Sequence, residues 1–461
     1  MKTLTISEVI QATQGKYSGI AYDIMIKGVS TDSRKTCEDA LFVPIEGPNF
    51  DGHDFIGQAL AKGAAASLCQ VSKRAKVDAL PVDRIIFVDD TQHALLKLAA
   101  YYRGLFSVPF VAVTGSVGKT STKEMIAAVL MTRFNVLKTQ GNLNNEIGLP
   151  LTIFQLDESH HVGVVELGMS GLGEIRRLAN VVKPKVAVIT HIGVTHIEKL
   201  GSKENIARAK MEILEPLSED DIAVLNADSN ELWSAKDSIV PKTVFFGRER
   251  GDLRARNIVA NDEEVRFDIW GRYGEATFTV ALPGVHNVTN ALAAIAVGFE
   301  MGLSKDEIQA GLKNLKLPDM RLQLKRSFFG ADIIDDAYNA SPDSMKAALE
   351  YLNQRGRGKK KAAILGDMLE LGDFSKSAHF EIGKYAADKA DKIIAIGNFS
   401  KELADGAMEG KADDACIFAF PTVEDALPKI TSLVEDCDII LVKASRGMKL
   451  EQITQLLVRG S

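Results

Sequence analysis

The sequence predicts an α/β protein of three domains, and three observations carry that prediction. Short β-branched runs ending in a polar or glycine-containing tip recur along the chain, each followed by a stretch with helical spacing. Most of these runs are apolar throughout rather than alternating, as parallel strands covered on both faces require. At 461 residues the chain has the length of about three domains of roughly 150 residues.

Taken in order, the run at 85–88 is followed by a helical stretch at 91–103, which leads into a strand at 108–113. Further runs stand at 162–165, 186–189, 222–225, 333–334, 362–365, 393–396 and 439–442, and helical spacing is clear at 123–134 and 203–214. The segment 243–283 alternates apolar and polar residues more than the rest, which predicts antiparallel hairpins added to one sheet. The helix at 91–103 and the turn Leu317-Pro318-Asp319, after a polar helix at 304–316, divide the chain at 1–90, 91–318 and 319–461. The basic cluster 355–361 reads as a solvated loop before a strand.

Composition narrows the function. The 55 Lys+Arg and 61 Asp+Glu leave a net charge of −6, spread evenly, so the basic excess that neutralises a nucleic acid is absent. Cys37, Cys69, Cys416 and Cys437 are scattered without a CxxC pair, which predicts buried thiols in a reducing compartment. No apolar stretch approaches the ~18 residues of a membrane span, and Glu8 interrupts the start of the chain before a leader-like apolar core can form. A cytoplasmic protein with no membrane partner is expected.

The most informative segment is VPFVAVTGSVGKTSTK at 108–123, a strand, a glycine-rich turn and a helical pattern in succession. Glycines let successive N–H groups point inward, and the helix N-terminus adds positive potential, so Thr114, Gly115, Ser116, Val117, Gly118, Lys119, Thr120 and Ser121 suit a nucleotide's phosphates. Lys119 has the reach for the β/γ phosphates, and the Thr120 hydroxyl suits Mg²⁺. The longest form of the motif wants glycine where this chain has Val113, so the shorter T-G-S-x-G-K-T form applies.

Other candidates stay ambiguous at this level. Glu166, at the tip of the 162–165 run, reads either as a hard-oxygen ligand for Mg²⁺ or as a cap on the following turn. His191 and His196, on a strand end and its loop, read as hydrogen-bonded structural groups rather than a zinc pair. Lys210 reads as a helix-surface lysine, and Asp335–Asn339 as either a ribose-binding acidic tip or a common turn. The residues alone therefore reach a multidomain α/β enzyme using ATP and Mg²⁺.

Side by side, these segments resemble the Mur ligase family of peptidoglycan synthesis, over essentially the whole length and in order. The resemblance runs through VSTDSR (29–34), FVPIEGPNFDGHDF (42–55), VTGSVGKTSTKEM (113–125), GNLNNEIGLPLT (141–152) and VELGMSGLGEI (165–175). It continues through THIEKLGSKENIARAKMEIL (195–214), LNAD (225–228), LPGVHNVTNALAA (282–294), MRL (320–322), DDAYNASPDSM (335–345), ILGDMLELG (364–372) and VKASRGMKLE (442–451). It implies a small UDP-binding domain, a central phosphate-loop domain with a mostly parallel sheet, and a C-terminal Rossmann-like domain. GDMLELG, DDAYNASPDSM and SRGM imply the member that joins D-alanyl-D-alanine to UDP-MurNAc-tripeptide through an acyl phosphate, with ATP as the phosphoryl donor.

The same resemblance implies roles one residue at a time. Thr120, Glu166, His196 and Lys210 would hold two Mg²⁺ ions, Lys210 as a carbamate, and Lys119 would act on the phosphates. Asn287 and Asn290 would face the adenine, Arg321 the phosphates, Asp336 the ribose, with Tyr338 on the same turn. Ser30, Thr31, Ser33, Arg34, Asn49, Asp51, Gly52 and His53 would line the UDP-sugar site. One of the three asparagines at 142–146 would face the nucleotide, Asn145 would contact substrate, and Ser445 with Arg446 would lie where the C-terminal domain meets the peptide substrates. Small-molecule substrates and a monomer are implied. His191 stands where the family usually has Asn, which leaves its role open.

Overall fold

The computed structural model describes residues 1–19, 24–315, 320 and 322–460. Three main sheets build three α/β domains. The first has five strands in the order Lys16–Tyr17, Ile85–Val88, Ala66–Gln70, Ala40–Phe42 and Gly28–Ser30, parallel apart from the edge strand Lys16–Tyr17. A separate antiparallel pair joins Leu4–Thr5 to Met25–Ile26.

The central sheet has nine strands. Val136–Lys138, Val162–Glu166, Phe110–Thr114, Val186–Ile189, Ile222–Asn226 and Lys242–Gly247 lie side by side and parallel. Leu253–Ala260, Val265–Gly271 and Ala276–Val280 extend it as antiparallel hairpins. The alternation at 243–283 therefore predicts antiparallel pairing correctly only from Leu253 onward. Lys242–Gly247 runs parallel to Ile222–Asn226, and its buried Val244–Gly247 stretch has the two-sided burial of an interior parallel strand.

Period-two alternation explains how this sheet is covered. Val111, Val113, Val162, Val164, Val186 and Val188 face a core shared with the helices Lys119–Leu130 and His286–Glu300. Phe110, Ala112, Val165, Ala187 and Ile189 face the opposite core, shared with the helices Thr91–Gly104 and Glu174–Val182. The first helix opens at Lys119, four residues before its apolar periodicity begins, because the polar Lys-Thr-Ser-Thr-Lys turn carries no apolar signal.

The C-terminal sheet orders Gln323–Arg326, Asp332–Asp335, Ile439–Lys443, Lys361–Gly366, Lys392–Ile396 and Ile417–Phe420, with only the first pair antiparallel. The turn at 317–319 lies outside the described residues.

Helix Thr91–Gly104 lies between the helix Ile6–Thr13 of the first domain and the central helices Gly148–Ile153 and Glu174–Val182. Asp90 caps its start by accepting from His93 N–H (2.6 Å). Buried Tyr102 accepts from Lys2 N–H (2.6 Å) and donates to Leu156 O (2.7 Å). The Arg103 guanidinium donates to the carbonyls of Val182, Phe106 and Val108 at 3.0, 2.8 and 2.7 Å.

Among the cysteines, Cys69 and Cys437 are buried as expected, whereas Cys37 is exposed and Cys416 half-buried. Cys37 lies in the loop before strand Ala40–Phe42, and Cys416 ends the short 3₁₀ helix Asp414–Cys416 before strand Ile417–Phe420. No helix of the described residues is long and apolar enough to cross a membrane.

Candidate active site

The phosphate loop hangs between strand Phe110–Thr114 and helix Lys119–Leu130. Two glycines are forced by geometry. A Cβ on Gly115 would collide with Thr190 Oγ1, and Gly118 has φ +81° with Asn290 Oδ1 only 2.5 Å from where its Cβ would stand. Neighbouring strand tips brace the loop: Ser116 N–H donates to His191 O (2.7 Å), Thr190 Oγ1 to Val117 O (2.6 Å), and Thr114 Oγ1 to Leu167 O (2.9 Å). Lys119 Nζ donates to Gly115 O (2.8 Å) and Ser116 O (3.3 Å), and half-buried Ser121 follows on the helix. Gly118→Ala is expected to destabilise the protein by about 1–2 kcal/mol from the left-handed backbone alone, more once Asn290 is displaced, as read by urea denaturation.

Thr120, on the first turn of that helix, donates from Oγ1 to Glu166 Oε2 at 2.7 Å. The Glu166 side chain, 3% exposed, takes its other hydrogen bond from Asn144 Nδ2 (2.8 Å), and its N–H donates to Thr139 Oγ1 (3.1 Å). Thr139 is fixed in turn by fully buried Lys123, whose Nζ donates to its carbonyl (2.8 Å) and pairs with Glu124 at 2.7 Å. Asn145 has a different task, accepting through Oδ1 from Ile147 and Gly148 N–H (3.2 and 2.8 Å) at the start of helix Gly148–Ile153. Of the asparagines at 142–146, Asn144 is therefore the one at the carboxylate.

This cradle suits Mg²⁺ on its own chemistry. A buried carboxylate partnered by a hydroxyl and an amide, with no ion pair among the described residues, offers hard oxygens, and Mg²⁺ is held by one or two carboxylates together with substrate phosphates. Among the described residues no three of His, Cys, Asp and Glu converge as a ready-made metal cage.

Two histidines on the loop after strand Val186–Ile189 meet the C-terminal domain. His196, in left-handed backbone at φ +65°, sets Nδ1 against the Glu370 carboxylate, which the histidine holds below the usual carboxylate range. His191 Nδ1 lies 3.2 Å from Ser229 Oγ, and Nε2 lies 3.7 Å from Asp343 Oδ2, whose ionised form it favours.

Lys210 departs from the surface-lysine reading. It is 1% exposed on the inner side of helix Lys203–Met211, and among the described residues no carboxylate pairs with its Nζ. Burial pushes its ammonium well below the ordinary lysine range, and the Lys119 charge adds to the effect.

The loop that carries Glu370 is held from its own domain and from the central one. Buried His379 donates from Nδ1 to Ser375 O (2.6 Å) and accepts at Nε2 from Met368 N–H (2.9 Å). Ser445 Oγ accepts from Leu369 N–H (2.9 Å), and Glu370 O accepts from Glu198 N–H (3.4 Å). Arg446 pairs with Glu451 at 3.0 Å and reaches Met320 Sδ at 3.4 Å. Buried Lys443 joins Asp336 Oδ2 (2.5 Å) to Asn339 O (2.9 Å), with half-buried Tyr338 on the same turn. Facing them, His286 opens the helix that carries Asn287 and Asn290, and burial depresses its imidazolium. Asn287 donates to Pro283 O (2.7 Å), and Asn290 accepts from Thr122 Oγ1 (3.2 Å). Arg321 lies outside the described residues.

In the first domain, His53 is a buried strut. It accepts at Nε2 from Gln70 N–H (3.1 Å) and faces Asp51 Oδ1 through Nδ1 (2.6 Å). Burial works against the Asp51 charge, but Lys76, His53 and Lys73 outweigh it and hold the carboxyl well below its usual range. Gly52 allows the close approach of Ile45, whose N and O lie 2.6 Å from the place of a Cβ. Ser30 Oγ accepts from Asp32 N–H (3.2 Å), Ser33 Oγ donates to Gln58 (2.7 Å), and exposed Arg34 forks onto Asp32 (2.9 and 3.0 Å). Thr31 is half-buried and Asn49 exposed on the same loops.

Sequence reasoning missed Asn144, Thr190, Lys123, Asp343, Glu370, His379 and Lys443. Lys123, Asn144, Asp343, Glu370 and Lys443 lie inside the segments quoted for the resemblance, so a signal for them existed; Thr190 and His379 are recognisable only through their partners.

A braced phosphate loop, a hydroxyl–carboxylate pair at its mouth and a third domain reaching into the same cleft define a multidomain nucleotide-using enzyme. Comparison narrows the class. Profiles for the Mur ligase family catalytic domain, the Mur ligase middle domain and the Mur ligase glutamate ligase domain match residues 25–103, 113–298 and 320–446. The UDP-N-acetylmuramoyl-tripeptide–D-alanyl-D-alanine ligase of Bacillus subtilis is 40% identical over 99% of this chain and 98% of its own. A crystal structure of MurF from Acinetobacter baumannii superposes with TM-score 0.89 at 32% identity, covering 99% of both chains. MurF from Thermotoga maritima in complex with ADP gives TM-score 0.81 at 30% identity, over 94% of this chain and 98% of that one. The chain belongs to the Mur ligase family.

Proposed function

We propose that this chain is an ATP-dependent amide ligase that adds D-alanyl-D-alanine to UDP-MurNAc-tripeptide, forming UDP-MurNAc-pentapeptide, ADP and phosphate during cytoplasmic peptidoglycan precursor synthesis. The observation that carries the reading is Thr120 on buried Glu166 at the mouth of the phosphate loop, with Glu370 reaching His196 from the third domain. The full-length relatives supply the substrates. The division at 1–90, 91–318 and 319–461, with UDP-sugar, ATP and dipeptide roles in that order, and a monomeric state belong to the same proposal.

A carboxylate is a poor electrophile, so the tripeptide carboxylate first takes the γ-phosphoryl group of ATP and becomes an acyl phosphate. The dipeptide amine then attacks the acyl carbon, and phosphate leaves. Backbone N–H groups at Gly115–Thr120 and the Lys119 ammonium hold the phosphates and offset the charge of the transferring group. Thr120, Glu166, His196 and Lys210 would hold two Mg²⁺, which when bound reduce the repulsion between carboxylate and triphosphate.

Lys210 fits that set only if its charge reverses. Its burial favours the neutral amine, which is the form that adds CO₂; the N–C bond forms, one proton leaves, and an anionic carbamate results. Asn287 and Asn290 would meet the adenine, Arg321 the phosphates, and Asp336 with Tyr338 the ribose. Ser30, Thr31, Ser33, Arg34 and Asn49 would line the UDP-sugar site, framed by Asp51, Gly52 and His53. Ser445 and Arg446 would meet the dipeptide, with Asn145 bracing the tripeptide side. Closure of the domains excludes water, which would hydrolyse the acyl phosphate.

The test is ADP release with ATP, Mg²⁺, UDP-MurNAc-tripeptide and D-Ala-D-Ala, omitting each in turn and offering lysine- and diaminopimelate-containing tripeptides. Release is expected only with the complete set, and a product heavier by the dipeptide. Equal release without tripeptide, as a nucleotide switch would give, overturns the reading.

A further inference from the structure

His191 is the strand-tip residue left without a role by the reaction above. Its two halves do different things. The backbone carbonyl holds the phosphate loop through Ser116 N–H (2.7 Å). The ring joins two other elements: Nδ1 faces Ser229 Oγ (3.2 Å), which also accepts from Ile192 N–H (3.2 Å), and Nε2 lies 3.7 Å from Asp343 Oδ2.

Asp343 sits in the first turn of helix Pro342–Arg355, in the C-terminal domain, and its carboxylate also senses Lys203 and Lys346. The approach is close. A Cβ on Gly193 would stand 2.6 Å from Asp343 Oδ2 and 3.4 Å from Ser116 Cβ, so glycine lets the carboxylate sit this close beside the loop. Ser116 Oγ donates to Gly193 O (3.2 Å), closing the arrangement. One short segment thus touches the phosphate loop through its backbone and the C-terminal domain through a ring.

We propose that the His191–Asp343 contact registers the C-terminal domain against the phosphate loop, with His191 a positioning residue for the ligation. The proposal rests on the amide-ligase reading for its kinetic consequence but not for its structural one. Changing either side chain leaves the His191 carbonyl on Ser116, so nucleotide binding by the open enzyme is spared. What is lost is the fraction of molecules with the third domain seated, and with it the capture of the last substrate.

The test is a double-mutant cycle with His191→Asn, Asp343→Asn and the pair together, and Asp343→Glu as the conservative variant. Small-angle scattering of each full-length protein, with ATP and Mg²⁺, reads domain seating whatever the reaction proves to be. Both single variants are expected to shift toward the more extended form, the double variant no further than either, and Asp343→Glu least. In the ligation assay, kcat/KM for D-Ala-D-Ala should fall roughly fivefold in each single variant and no more in the double, as for a partly exposed polar contact. ADP affinity of the enzyme alone should not change. Scattering curves identical to the unaltered protein, or additive losses in the double variant, overturn the contact's role. Failure of the unaltered protein to ligate, with scattering shifts intact, would instead overturn the amide-ligase reading.

Discussion

Lys119→Ala is expected to lower turnover by on the order of 10²–10³-fold or more while the protein stays folded. The side chain lies over the loop it belongs to, bonding to Gly115 and Ser116 carbonyls, and it belongs to neither large core. Its removal deletes the positive charge of the loop, whereas the strand-tip bonds from Thr190 and His191 that shape the backbone remain. The paired measurement is single-turnover phosphate transfer and thermal unfolding: near-normal turnover would remove Lys119 from the chemistry, and a collapsed melting transition would make it a structural residue.

Lys210 yields the second large effect, and it has two opposite signs. Lys210→Ala should be close to inactive, with part of the activity returning when formate or acetate is supplied, because a small carboxylate can occupy the space of the carbamate. Lys210→Met should be equally inactive but more resistant to heat than the unaltered protein in CO₂-free, metal-free buffer. An amine that is 1% exposed and without a carboxylate partner among the described residues is a burden to the fold, which an apolar side chain of similar length removes. Full activity of Lys210→Ala without additive would dismiss an essential carbamate, and a lower melting temperature for Lys210→Met would dismiss the uncompensated amine.

The parallel sheets were legible in the sequence because their strands are continuous apolar runs, and runs such as 186–189 and 393–396 fall within the observed strands. The start of helix Lys119–Leu130 was not, since polar residues begin it and Gly118's left-handed backbone, not an apolar period, sets the boundary. Lys242–Gly247 misled because its apolar residues adjoin a truly alternating hairpin. At the site, the phosphate loop announced itself by spacing, whereas Lys210 did not: one lysine on a polar helix gives no sign of which side faces inward. Asn144 and Asn145 illustrate the same limit, adjacent in sequence yet divided between a carboxylate and a helix start by backbone direction alone.

Helix Thr91–Gly104 ties two of the three domains into one piece. Its apolar side is shared with the first and central domains, and Tyr102 and Arg103 tie its end to carbonyls of the central one. The C-terminal domain meets the histidine loop through polar tips at Glu370 and Asp343. The apolar cluster under those polar contacts also takes in Met368 and Leu371 of the C-terminal domain together with Ile197 and Leu200 of the central one. The helix is therefore a spine for the first two domains, while the third is fastened beside the phosphate loop by contacts of both kinds, greasy beneath and charged at the rim.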